Sequence, residues 1–237
     1  MTTDFKFKIA AFILCHNEKE ILPHVIKHYK EFCNDIYILN NGSTDETPEI
    51  AKNMGCNVIN YVSDEINELQ YLHVKQNCYK PFRNQYDYII VCDADEFLYH
   101  KNLSEYLEEH SNIDVFKCVG YEMLHEDFDY KNDDYKKVKL ASRSIGYDKC
   151  ALFKSNVDII YDVGCHTSRN QHFNSEILIK HMKHLNTQYV CDRYTYLQTR
   201  LSKINIQNNW AFHYKTHKDK IIEWKEEQKN KSIKLEW

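Results

Sequence analysis

The chain has 237 residues, of which 43% are hydrophobic and 28% are charged, a balance typical of a folded globular protein. Its formal net charge of −4 provides no general positive field, so nucleic acid is not an expected partner. Only five glycines and three prolines occur, which argues against linkers and repeats. A chain of this length forms one large α/β domain or, less easily, two small ones.

The nine cysteines are odd in number, lie far apart and include no C-x-x-C pair. This spacing fits neither a disulfide framework nor a zinc site, so free thiols in a reducing, cytoplasmic setting are expected. The apolar segment 9–15 is too short to span a membrane and is followed at once by polar residues. It predicts a buried strand, and no transmembrane anchor is expected.

Apolar runs alternate with helical patterns over the first hundred residues, as in a mostly parallel sheet flanked by helices. The predicted strands are 9–15, 35–39, 57–61 and 88–92, and the predicted helices are about 18–32, 48–54 and 65–80. In such sheets ligands bind beyond the carboxyl ends of the strands. A site is therefore expected where strands end, near His16, Asn40 and Asp93.

The pattern is looser after Asp93. It predicts a helix near 103–110, strands at 115–119, 151–154 and about 177–181, and an acidic stretch at 126–134. Segment 218–234 is strongly charged with interspersed apolar residues, which predicts an amphipathic terminal helix. Such a helix could pack on the domain, on a partner or on a membrane surface.

The central motif is Asp93-Ala94-Asp95, directly after the apolar run 88–92. In extended backbone, residues i and i+2 share a face, so the two carboxylates converge and repel unless a cation lies between them. Mg²⁺ and Mn²⁺ prefer such oxygen ligands and also bind phosphate oxygens. A solvated acidic strand end is the plainer alternative, but Glu96 and the apolar strand favour a metal site.

Two further polar segments follow predicted strands: His16-Asn17-Glu18 and Asn41-Gly42-Ser43-Thr44-Asp45. Each also has a purely local interpretation. The first is a helix start with Asn17 as N-cap, and the second is a turn that caps a helix. The local and functional interpretations are compatible.

Together, the segments C-H-N-E, N-N-G-S-T-D and D-A-D-E-F, in this order and spacing, resemble family 2 glycosyltransferases of the GT-A fold. The resemblance is closest to a subgroup with a D-A-D-E-F motif and covers about residues 8–215. It implies an α/β GT-A fold in which the first two segments hold base and ribose and the D-x-D holds metal and diphosphate. Asn40 and Asn41 replace the paired acids usual in the second segment.

The resemblance also implies roles for individual residues. The implied metal ligands are Asp93, Asp95 and His166, with Asp95 a direct ligand and Asp93 shared with the ribose. The alternative for His166 is a loop histidine that binds no metal. Lys149, Arg200 and His213 are expected to neutralise the leaving diphosphate, although a surface lysine or a core histidine is the plainer account of each. The expected nucleotide-sugar-binding residues are His16, Asn17, Glu18, Asn41, Asp93, Lys149, Arg200 and His213.

Inversion at a sugar requires a carboxylate that accepts the proton of the acceptor hydroxyl. Glu122, in a G-Y-E-M block, is the first candidate for this catalytic base. Asp127 is the second candidate, because Glu126-Asp127 matches the E-D motif of the family, and Asp129 is a further candidate.

The sequence thus predicts a metal-dependent glycosyltransferase of the hexosyltransferase type. It would move sugar from a nucleotide-sugar, a UDP-sugar, to a glycan, lipid-linked or protein-attached acceptor with inversion, using Mn²⁺ or Mg²⁺. Residues 1–215 form the predicted domain and 216–237 a helical extension of it, with peripheral membrane contact left open.

Three alternatives differ in class. A catalytically inactive module would bind nucleotide-sugar or glycan without turnover. A D-x-D phosphohydrolase would carry Ser or Thr after the second Asp, where this chain has Glu96-Phe97-Leu98. A nucleotidyltransferase would require a glycine-rich N-terminal loop for a triphosphate, and 16–19 contain no glycine.

Overall fold

The computed structural model describes residues 5–237 as an α/β fold built on a mixed sheet. Its strands are β1 (Ile9–Cys15), β2 (Asp35–Asn41), β3 (Asn57–Tyr61), β4 (Tyr88–Asp93), β5 (Glu96–Tyr99), β6 (Val115–Leu124), β7 (Leu140–Arg143), β8 (Lys149–Lys154), β9 (Phe173–His184) and β10 (Ile233–Lys234). Its helices are α1 (Leu22–Tyr29), α2 (Thr47–Asn53), α3 (Glu68–Asn77), α4 (Leu103–Glu109), α5 (Thr187–Gln198), α6 (Lys203–Gln207) and α7 (Lys218–Asn230).

The N-terminal half of the sheet is parallel, in the order β3-β2-β1-β4. The register aligns Cys15 with Asn40 and Leu14 with Asp93, so the carboxyl ends of three strands lie level. The polar segments that follow these strands therefore meet at one edge. The predicted α/β fold, with a central sheet flanked by helices, is confirmed.

The C-terminal half is largely antiparallel. β8 joins β4 to β6, β7 and β10 extend that edge, and β9 pairs parallel with β6 and antiparallel with β5. β6 and β9 are longer than predicted, at 10 and 12 residues. They carry Glu122 and His181 side by side to the same end of the sheet as Asp93.

Alternate residues of β1 enter separate cores on the two faces of the sheet. Ile13 and Val25 of α1 belong to one apolar cluster, and Phe12 and Phe153 to the other. All four side chains are fully buried. Each such side chain contributes about 1.5–3 kcal/mol to stability by leaving water. A strand buried on both faces reads as a continuous apolar run, which is why segment 9–15 was predictable.

The first helix is shorter than predicted, and its start is different. α1 begins at Leu22, with Ile21 at the N-cap position and no side-chain cap. Asn17 is not the N-cap, so that interpretation was wrong. Its backbone is left-handed, with φ at 52°, and its Oδ1 accepts a hydrogen bond of 2.7 Å from the Thr44 N–H. The chain after β1 is bound to the β2–α2 loop before the helix begins.

The terminal segment packs on the domain. α7 covers 218–230 rather than the predicted 218–234, and the chain then pairs with β7 through Ile233 and Lys234. Lys225 is buried and donates to the His125 carbonyl and the Thr187 hydroxyl at 2.6 Å each. The division at residue 215 stays a prediction, and the first four residues of that predicted domain lie outside the described residues. Within residues 5–237, none of the helices is long and apolar enough to cross a bilayer.

Candidate active site

A cavity of about 410 Å³ lies where β1, β2 and β4 end. His16, Asn41 and Asp93 line it from the ends of these three strands, as the sequence predicted. The opposite wall comes from β9, from α5 and from the segments 163–166 and 209–214. Two halves of the chain therefore enclose one space.

Asp93 is held by two lysines. The Lys75 Nζ lies 2.7 Å from Asp93 Oδ1, and the Lys149 Nζ lies 3.6 Å from Oδ2. Burial raises the pKa of the Asp93 carboxyl, but Lys75 and Lys149 outweigh burial and hold this pKa below its usual range. Lys149 also pairs with the buried Glu96, whose Oε2 accepts a hydrogen bond of 3.0 Å from the Asp93 N–H. Asp93 is therefore ionised and fixed in place.

Asp95 is held by a histidine. The His181 Nε2 lies 3.2 Å from Asp95 Oδ2, and the His181 Nδ1 lies 2.8 Å from Glu122 Oε2. Burial lowers the pKa of His181, but Glu122 and Asp95 outweigh it and raise this pKa to about 10. His181 is thus an imidazolium at neutral pH. Against the effect of burial, it holds the pKa of the Asp95 carboxyl well below its usual range.

The two aspartates retain access to the cavity, with side chains 34% and 28% exposed for Asp93 and Asp95. Within residues 5–237, no three His, Cys, Asp or Glu side chains converge as a ready metal cluster. Carboxylate oxygens of two residues suit a hard divalent cation whose other ligands are phosphate oxygens and water. The donor set therefore fits Mg²⁺ or Mn²⁺ held together with a phosphate ligand.

His166 lines the same cavity but does not join the aspartates in a metal cluster. Its buried Nδ1 atom has no hydrogen-bond partner, and its ring packs edge-on against Tyr147 at 5.4 Å. Burial, followed by the charge of Lys149, lowers the pKa of His166 to about 4, so the imidazole is neutral. Its role as third metal ligand stays a prediction.

Polar residues form the other end of the cavity. The His16 Nδ1 lies 2.7 Å from the Asn41 carbonyl, and its Nε2 lies 2.9 Å from the Tyr196 hydroxyl. The Asn41 amide donates to Ser63 Oγ at 2.8 Å and to the Tyr71 hydroxyl at 3.2 Å. This network fixes the ends of β1 and β2 against each other.

Arg193 of α5 binds the segment after β1. It pairs with Glu18 and donates to the carbonyls of Asn17 at 3.1 Å and His16 at 2.8 Å. Burial raises the pKa of Glu18 to about 7 even though Arg193 acts in the opposite direction. The Asn17 side chain is turned to the β2–α2 loop instead, where its Nδ2 donates to Thr44 Oγ1 at 3.2 Å.

The family model described as glycosyl transferase family 2 matches residues 10–178, which is most of the chain and includes both aspartates. The chain belongs to glycosyl transferase family 2. No curated protein matches the sequence.

The solved structures that are similar to this family 2 chain include two synthases. One is glucosyl-3-phosphoglycerate synthase from Mycobacterium tuberculosis in complex with Mn²⁺, UDP and glucosyl-3-phosphoglycerate, at 19% identity and a TM-score of 0.34, with 48% of this chain and 44% of that chain covered. The other is mannosyl-3-phosphoglycerate synthase from Rubrobacter xylanophilus, at 16% identity and a TM-score of 0.36, with coverages of 49% and 41%. The match thus spans less than half of either structure.

Three more predicted residues line the cavity of this family 2 domain: Lys149, Arg200 and His213. Arg200 Nε donates to Glu65 at 2.9 Å, and its buried Nη1 has no partner. Burial, together with the charges of Lys183 and His181, lowers the pKa of His213 to about 3, so His213 is neutral and contributes no charge.

The two predicted bases do not line the cavity. Glu122 is 4% exposed, and its carboxylate is occupied by His181, with His184 Nε2 a further 4.0 Å away. Asp127 lies on the outside of the domain, with a side chain 91% exposed. Glu122 is kept from the cavity because it is buried against β9. Asp127 is kept from it because it lies in the exposed loop after β6. Proton transfer by either residue stays a prediction.

Lys75, His181, Arg193 and Tyr196 complete the site but were not predicted as site residues. His181 lies in the segment Lys180-His181-Met182-Lys183, and nothing in the sequence indicates its carboxylate partners. Arg193 and Tyr196 lie on α5, a helix that was not predicted. The one local sequence feature that indicates this helix is its N-cap Asn186, whose side chain accepts a hydrogen bond from the Tyr189 N–H. Lys75 lies on α3, and its burial depends on tertiary contacts.

Proposed function

We propose that this chain is a metal-dependent glycosyltransferase that transfers sugar from a UDP-sugar to a glycan, lipid-linked or protein-attached acceptor with inversion, and that it belongs to the D-A-D-E-F subgroup. The observation that carries the proposal is the pair Asp93 and Asp95, ionised and accessible at the cavity of a family 2 domain. An ionised pair of this kind suits a cation bound together with phosphate.

The donor is proposed to lie along the row of strand ends. The base and ribose would lie toward His16 and Asn41, and the diphosphate would lie at Asp93 and Asp95. A Mn²⁺ or Mg²⁺ ion, when bound, would supply the Lewis acid that carries the charge of the leaving diphosphate. Asp93 and Asp95 would hold this ion, while Lys149 and Arg200 add positive charge on the cavity wall.

Glu122 is proposed to act through His181 rather than on the acceptor. It fixes the imidazolium that faces Asp95, so it is a positioning residue. The proton acceptor is then sought among the carboxylates that reach the cavity. We propose Glu18 for this role, because it lines the cavity and burial raises its pKa to about 7 even though it pairs with Arg193.

A nucleotide-sugar-binding module without turnover is the second candidate. It is favoured by one observation: Asp93 and Asp95 are both already neutralised by protein cations, Lys75 and His181. Such a site would bind a nucleotide through its protein cations with little help from a metal.

Release of nucleoside diphosphate from a panel of sugar nucleotides separates the two candidates. The protein would be assayed with Mn²⁺, with Mg²⁺ and with EDTA, with and without oligosaccharide acceptors. The proposal predicts release from at least one UDP-sugar, at least about tenfold faster with metal than with EDTA. Asp95→Asn is expected to remove this metal-dependent release, whereas Asp219→Asn on the exposed face of α7 is a matched control.

Binding of UDP without release from any donor would identify the non-catalytic module. Release that is equally fast in EDTA would contradict the metal requirement. Absence of both binding and release would overturn the proposal as a whole.

A further inference from the structure

Lys183 lies on β9 two residues after His181, so both side chains project from the same face of the strand. Both line the cavity. The preceding lysine, Lys180, projects from the other face and is enclosed by the rings of Tyr99 and Trp237, at 3.9 and 3.8 Å from its ammonium. The strand therefore directs one lysine into the core and the other into the site.

The Lys183 ammonium lies over two tyrosine rings, 4.8 Å from the centroid of Tyr194 and 5.1 Å from that of Tyr214. Such contacts stabilise a cation but do not neutralise it. The four other lysine and arginine side chains on the cavity wall each pair with a carboxylate: Lys75, Lys149, Arg193 and Arg200. Within residues 5–237, no carboxylate forms such an ion pair with Lys183.

A partly buried cation without an anionic partner is costly, and an anion supplied by a ligand offsets that cost. Tyr194 lies on α5 and Tyr214 lies in the segment 209–214, and both residues line the cavity together with Lys183. The Lys183 ammonium therefore lies at the cavity wall that these two segments form. In agreement with this position, its charge is the largest cause after burial of the lowered pKa of His213.

We propose that Lys183 binds the terminal phosphate of the nucleoside diphosphate and stabilises its charge as it leaves the sugar. This inference rests on the proposed function. The glycosidic C–O bond breaks, and the bonding electron pair departs with the phosphate oxygen. The acceptor oxygen forms the new bond and gives its proton to the base. Lys183 keeps its own proton and donates hydrogen bonds to the phosphate.

The test compares UDP and UMP binding by calorimetry in wild type, Lys183→Met and Lys183→Arg, with Lys203→Met on the exposed face of α6 as control. Lys183→Met is expected to weaken UDP binding about tenfold or more and to change UMP binding by less than about twofold. Lys183→Arg is expected to restore most of the UDP affinity because it keeps the charge. Circular dichroism and thermal melts establish folding, and Lys183→Gln replaces Lys183→Met if that variant does not fold.

Equal losses of UDP and UMP affinity in the folded variant would overturn the inference, and so would unchanged UDP affinity. Both results leave the proposed function intact if wild-type protein still releases nucleoside diphosphate from a sugar donor. If wild-type protein neither binds UDP nor releases it from any donor, the proposed function itself fails.

Discussion

The Nδ1 atom of His181 lies 2.8 Å from Oε2 of Glu122, and both residues are buried. The other ring nitrogen faces Asp95, so the same imidazolium contacts the buried Glu122 carboxylate and the Asp95 carboxylate at the cavity. The contact follows from the register of β6 and β9, in which Glu122 and His181 lie directly opposite each other. The orientation of Asp95 thus depends on a pairing between strands remote in sequence.

The His181 pair predicts a specific pH dependence of stability. The pKa of His181 is about 10 in the folded protein, above its ordinary value of about 6.5. The stabilisation of the folded state by protonated His181 is therefore complete below pH about 6.5 and is lost as pH rises through about 10. We expect the free energy of unfolding to fall by about 2–4 kcal/mol over this window, measured by urea denaturation.

Glu122→Gln is the matched variant, since it keeps the shape and removes the charge. Its stability is expected to be lower at pH 7 and to change less between pH 7 and pH 10, because His181 retains only Asp95. Identical pH profiles for the two proteins would show that the pair is not ionic.

Gly120 of β6 is predicted to be intolerant of any side chain. A Cβ atom there would lie 2.5 Å from the Tyr147 carbonyl carbon, and Tyr147 stacks on the His181 ring at 4.0 Å. We expect Gly120→Ala to destabilise the protein by about 1–3 kcal/mol and to reduce sugar transfer by displacing Tyr147. Gly146→Ala is the control, because nothing lies within 4 Å of its added Cβ. Equal stabilities of the two variants in thermal unfolding would refute this.

Arg193 is predicted to hold the α5 wall against the end of β1. Its pair with Glu18 is largely buried, with side chains 16% and 19% exposed. Arg193→Met would leave Glu18 and two carbonyls without their donor, at a cost of about 3 kcal/mol. Arg83→Met breaks a more exposed pair with Asp158, 28% and 64% exposed, and is expected to cost less than about 1 kcal/mol. Chemical denaturation measures both, and similar losses would contradict the assignment.

The sequence was sufficient for the parallel half of the fold. Strands buried on both faces are continuous apolar runs, so β1, β2 and β4 were predicted within two residues of their observed ends. β3 was also predicted with its observed bounds, although it is partly exposed. β5 and α5 were missed for physical reasons. β5 is separated from β4 only by the two-residue turn Ala94-Asp95. α5 has a mixed polar and aromatic sequence, and its apolar side packs against α7 and Tyr214.

The site residues at strand ends could be predicted from the sequence. The residues that contact them from distant parts of the chain could not. Asp93 and Asp95 follow an apolar run, which the sequence displays directly. The lysine partner of Asp93 comes from α3, and the histidine partner of Asp95 comes from β9, 86 residues later in the chain by numbering. Glu122 was chosen from its block, but its burial follows from the pairing of β6 with β9.

The central claim is that Asp93 and Asp95 bind a divalent cation together with a nucleoside diphosphate. The most direct test is calorimetric titration of UDP into wild type, Asp95→Asn and Asp219→Asn, each with Mn²⁺ and with EDTA. We predict UDP binding at least about tenfold tighter with Mn²⁺ in wild type and in Asp219→Asn, and no Mn²⁺ effect in Asp95→Asn. UDP affinity that is independent of Mn²⁺ in the wild-type protein would contradict the claim.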